Sequence, residues 1–138
     1  VLNDIEAAGG DRARAAESQP LIATEAMVAY AYDLIARRNP VGLFGMVYVL
    51  EGTSATLALR AAATIQKTLQ LPPRAFTYLR SHGQLDQEHT QHLEDLLERL
   101  TDASDRAAVE HSAQAIYWLY GQVFRSLDLR GAGSAVCN

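Results

Sequence analysis

Apolar residues recur at helical spacing along most of the chain, and its four prolines, at 20, 40, 72 and 73, fall between stretches rich in Ala, Leu, Glu, Gln and Arg. Those are strong helix formers. Ser18-Gln19-Pro20 predicts a helix start, because proline suits the first turn, and Asn39-Pro40 predicts its stop near Arg38. A second helix is predicted from about Val41 to Gln70, ended by Leu71-Pro72-Pro73, with Gly52-Thr53-Ser54 as the place for a bend. Its charged residues are few, namely Glu51, Arg60 and Lys67. A helix apolar on most sides is expected to be central and packed all round.

A third helix is predicted to begin within Arg74 to Leu79 and to run to Leu100, with Gly83 as a point of irregularity. Thr101 to Asp105 carries N-cap residues, which places a fourth helix at about Arg106 to Leu127, with Val109, Ala113, Ile116, Tyr120, Val123 and Leu127 as its buried stripe. Tyr117 and Phe124 are read with Tyr120 as core residues. Short connections between such helices predict an all-α antiparallel bundle.

The two ends read differently. Val1 to Gly10 has the look of the last turns of a helix closing on a glycine C-cap, so further residues are expected before it. Asp11 to Glu17 is a short polar piece, and Arg130 to Asn138 is a tail of small residues expected to be disordered. One helical domain over residues 1–129 is therefore expected.

Composition narrows the partners. At 138 residues, 49% hydrophobic and 20% charged, the chain matches ordinary globular composition. A net charge of −4 with no basic run argues against nucleic acid and anionic membranes. The uninterrupted apolar run Val41 to Leu50 is about half the length of a spanning helix, so no membrane crossing is expected. Cys137 is alone, which suits a reducing cytoplasm.

Chemistry concentrates on the third helix, in His82-Gly-Gln-Leu-Asp86-Gln-Glu-His89. At about 100° per residue, positions 82, 86 and 89 fall within an arc of about 60°, and Leu93, Leu96, Leu97 and Leu100 continue that face. Gln84, Gln87, Gln91, Asp95 and Glu98 point the other way. Two imidazoles and a carboxylate directed into a core carry a desolvation cost that hydrogen bonds, ion pairs or a cation must offset.

Glu51 makes the same statement independently. The positions three, four and seven residues away are Phe44, Val47, Tyr48, Ser54, Ala55 and Ala58, an apolar or small-residue face without Lys or Arg. A metal shared by Glu51, His82, Asp86 and His89 supplies the missing charge, and such an N/O donor set suits iron, manganese or zinc. A buried polar network without metal remains the alternative. His92, His111, Glu88, Glu94 and Glu98 read as solvated, Glu25 and Asp33 as exposed rather than paired at a metal.

These residues, together with the strings LEGTS around Glu51 and LRSHGQLDQEHTQHL around the histidines, resemble the heme-oxygenase-like diiron oxidases, a family of iron-containing redox enzymes. The likeness runs from Leu2-Asn3-Asp4-Ile5 to Phe124-Arg125-Ser126-Leu127. It implies a seven-helix bundle that binds iron rather than heme, activates dioxygen and oxidises a small organic substrate. It implies Glu51, His82, Asp86 and His89 as ligands, Glu51 bridging. Phe44, Val47 and Tyr48 are expected to line the substrate cavity.

Family members also carry a Glu and a His on an earlier helix, and no matching pair stands in this sequence. Dinuclear sites of this kind use about six protein ligands. At most about one iron is therefore expected on this chain, two on a longer parent, and a homodimer could restore cover to the apolar second helix. The competing expectation, from a different class, is a non-catalytic helical binding or scaffold domain.

Overall fold

The computed structural model describes residues 1–127, the side chains of residues 84–88 excepted. Among the described residues six helices follow in order: α1 (Leu2–Ala7), α2 (Arg12–Glu17), α3 (Ile22–Arg37), α4 (Leu43–Leu69), α5 (Thr77–Glu98) and α6 (Ala103–Arg125). Single 3₁₀ turns, Pro40–Gly42 and Pro73–Phe76, lead into α4 and α5. No strand occurs among the described residues. The expected tail from Arg130 lies outside them.

The local signals act where they stand. Asp11 caps α2, and Asp102 caps α6 by accepting from the backbone N–H groups of Ser104 and Asp105. The piece from Asp11 to Glu17 is thus a capped helix rather than a polar connection. Helix α1 ends as anticipated: Gly10 N–H donates to the Ile5 carbonyl at 2.9 Å and Gly9 N–H to that of Glu6 at 3.0 Å. This is a Schellman closure, and Gly9 supplies the positive φ of 89° that it needs. Gln70, at φ 53°, takes the left-handed conformation at the end of α4, ahead of the two prolines.

Helices α4, α5 and α6 form the body. The α4–α6 crossing is close because Gly45 lacks a side chain: a Cβ there would overlap the Val109 carbonyl and lie 2.7 Å from the Ala113 nitrogen. Across the α4–α5 seam Gly83 has the matching role, with Leu59 Cγ 2.9 Å and Ala58 Cβ 3.3 Å from where its Cβ would be. Both α4 and α5 remain helical through their glycines. Ile116 and Ser112 of α6 are wholly buried, and Ala62, Ala75 and Phe76 form a small core under the turn before α5.

Three packing expectations are corrected. Helix α4 is not enclosed on all sides: α5 and α6 cover one side, leaving Tyr48, Leu57, Leu59, Ile65 and Leu69 exposed. Tyr117 is 72% exposed, and Phe124 and Leu127 are also exposed, because the buried arc of α6 centres on Ser112 and Ile116. Asp33 is partly buried and ion-paired with Arg37 and Arg38, at 2.5 and 2.6 Å. The span Pro40–Leu69 is also long and apolar enough, by length and composition, to cross a membrane.

The start of α5 is held from a distance. Asp4, buried on α1, accepts from the Thr77 hydroxyl and, at 2.8 Å, from the Tyr78 backbone N–H. It therefore caps a helix more than seventy positions away. Those hydrogen bonds, the Thr77 hydroxyl foremost, hold the Asp4 carboxyl below its ordinary value of 3.8. A depressed carboxyl stabilises the fold above its unfolded pKa, and that contribution fades as pH falls through the lower folded value. Asp4→Asn is expected to lower Tm at neutral pH, with the gap from wild type closing below about pH 3.8. Thermal melts of both proteins across the acid range check this, and a gap independent of pH contradicts it.

Candidate metal centre

The antiparallel α4–α5 seam sets the register of the site. Gly83 lies against Ala58 and Leu59, so Glu51, seven to eight residues earlier on α4, comes level with His89 near the other end of the seam. The Glu51 Oε1 to His89 Nδ1 distance is 3.7 Å. Two donors about 2.1 Å from one first-row ion lie roughly 3.0–4.2 Å apart, so the pair fits a shared ion. Among the described residues no Lys or Arg makes an ion pair with Glu51.

His82 stands two turns before His89, about 10.5 Å along the axis at 1.5 Å per residue. It is half-buried, and the Tyr78 ring meets it edge-on with centroids 4.2 Å apart. Asp86 lies between the two histidines in the continuous helix, and its side chain is outside the described residues, as are those of Gln84, Gln87 and Glu88. Among the described residues no three His, Cys, Asp or Glu side chains gather closely enough to hold a metal ion. The structure thus joins Glu51 to His89 and sets His82 apart from them along the same seam.

The site is more open than the helical wheel suggests. The His89 side chain is 56% exposed and that of Glu51 27%. Further along α5 the wheel holds: Leu93 is buried, Leu96, Leu97 and Leu100 are half-buried, and Gln91, His92, Glu94, Asp95 and Glu98 are exposed. Glu25 and His111 are exposed as well.

An apolar cavity of about 240 Å³ opens between α4, the end of α5 and α6, lined by Tyr48, Leu97, Leu100, Val109 and Ala113, with Arg106 and Glu110. Tyr48 is one turn from Glu51 on α4. Phe44 and Val47, expected beside it, are half-buried and do not line this cavity. Arg106 donates to the Leu100 and Thr101 carbonyls, at 2.8 and 3.0 Å, closing the end of α5. Tyr120 is half-buried on α6, its phenol pushed up by burial and, secondarily, by Tyr78.

Three polar residues of consequence escaped the sequence. Asp4 lines a cavity with Val1, Ile5 and Ala8, and the helix it caps is far away in sequence. Ser112 sits between Val109 and Ile116 of the α6 stripe, and its hydroxyl is buried without a hydrogen-bond partner among the described residues. Tyr78 is one helical turn before His82, within side-chain reach.

The structure is an all-α bundle in which a carboxylate and an imidazole meet from facing helices. The model of one family, the iron-containing redox enzymes, matches residues 1–121. The chain belongs to that family, and its fold is the all-helical heme-oxygenase-like one. No curated protein and no solved structure matches it.

Proposed function

We propose that the chain is a non-heme iron oxidase or oxygenase, in which Glu51, His82, Asp86 and His89 hold iron that activates dioxygen to oxidise a small organic substrate. The observation that carries this is the Glu51–His89 pair, 3.7 Å apart across two helices, in a member of an iron-containing redox family. A carboxylate with an imidazole beside it and, among the described residues, no ammonium or guanidinium partner offers N and O donors of the type that suits iron. Iron supplies the electron transfer to dioxygen that side chains cannot perform. The protein's own part is to orient these donors and to offer the apolar cavity beside Tyr48 to the substrate's non-polar portion. The open edge at His89 gives dioxygen and substrate a way in.

The lone Cys137 and the net charge of −4 suit a cytoplasmic enzyme acting on a small molecule rather than on nucleic acid. Oxygen consumption after anaerobic loading with Fe(II) tests the proposal. Consumption by the loaded chain above that of the same iron in buffer is expected, falling to the buffer level in Glu51→Gln. Equal rates with and without the protein would overturn it.

A further inference from the structure

Among the described residues no hydrogen bond orients the His82 ring, although metal-bound imidazoles are normally held by a partner on their second nitrogen. What touches the ring is Tyr78, edge-on, at 4.2 Å between centroids and 63° between planes. The Tyr78 backbone is held from outside its own helix. Its N–H is bonded to Asp4 Oδ2 at 2.8 Å, and the other Asp4 oxygen accepts from the Thr77 hydroxyl. Both carboxylate oxygens of one α1 residue are thereby committed to the first turn of α5. Tyr78 also forms a wall of the apolar cavity of about 270 Å³ lined by Val1, Ile5, Leu71 and Leu79. Tyr78, 45% exposed, meets His82 edge-on and borders this cavity.

We propose that Tyr78 is a positioning residue for the His82 imidazole, and that Asp4 sets Tyr78 from α1. The terminal torsion of histidine is broad and roughly two-fold, so an imidazole with neither hydrogen bond nor packed neighbour samples orientations that do not present a nitrogen to an ion. The Tyr78 ring removes that freedom by contact. This role in metal binding rests on the proposal that His82 is a ligand, whereas the orientation of the ring does not.

The experiment uses the full chain and the variants Tyr78→Leu, Tyr78→Phe and Asp4→Asn, with circular dichroism to confirm folding. Imidazole proton resonances of His82, assigned by His82→Gln, are recorded without metal, and Fe(II) affinity is titrated anaerobically. Tyr78→Leu is expected to remove the ring-current displacement of the His82 protons and to weaken Fe(II) binding about tenfold. Tyr78→Phe is expected to restore both, and Asp4→Asn to move the resonances in the direction of Tyr78→Leu. If Tyr78→Leu does not fold, Asp4→Asn, which keeps the ring, carries the same resonance test. Unmoved His82 resonances, or a Tyr78→Phe variant behaving like Tyr78→Leu, overturn the proposal. A wild-type chain that binds no Fe(II) defeats the iron proposal alone, and the resonances still decide whether Tyr78 orients the ring.

Discussion

Gly45→Val is expected to destabilise the chain by more than about 3 kcal/mol, the upper end of what overpacking costs. The reason is the identity of the atoms in the way. A Cβ at position 45 meets the Val109 carbonyl and the Ala113 nitrogen, both backbone atoms of α6, with Ser112 Cβ at 3.0 Å. A side chain could rotate aside, but a helix backbone has to move as a body. Set against a typical total stability of about 5–15 kcal/mol, such a loss leaves little of the fold. Gly52→Ala, in the same helix, gives the contrast. Its Cβ would meet nothing within 4 Å, so the only effect is the backbone entropy that glycine wastes in a helix, and a gain of about 0.5–1 kcal/mol is expected. Urea unfolding of the three proteins measures both effects. A Gly45 variant as stable as wild type would show that α4 and α6 do not approach as described.

Much of this architecture was legible because its signals are local. Pro20 and Asn39-Pro40 bound α3 to within two residues, and Leu71-Pro72-Pro73 ended α4, because proline restricts the residue before it and cannot donate a helical hydrogen bond. Helical spacing on two separate helices placed Glu51 beside both His82 and His89, and the structure brings only His89 to it. The exposure of His89 was not legible, since a wheel ranks directions around one helix without saying where the neighbouring helix stops. For the same reason Tyr117 and Phe124 were misplaced: α6 carries aromatic residues on several faces, and only the contact at Gly45 decides which is covered. Asp4 was missed because the helix it caps lies more than seventy residues away.

The second large effect concerns the proposed ligands. Truncating one donor of a site with few protein ligands removes coordination that water replaces weakly, and because each donor lies on a rigid helix no other side chain can take its place. His89→Ala and Asp86→Ala are each expected to abolish iron binding, and Glu51→Ala to do the same, because its carboxylate supplies charge that the imidazoles cannot. His111→Ala and His92→Ala are the controls, since both side chains are exposed. The binding is expected to amount to at most about one ion per chain, since four side chains are too few to coordinate two cations. Anaerobic Fe(II) titration of wild type and these five variants by elemental analysis after desalting is the most direct measurement. Iron held by wild type, His92→Ala and His111→Ala but lost from Glu51→Ala, Asp86→Ala and His89→Ala is the predicted result, whereas equal retention or equal loss across all five variants would contradict the site.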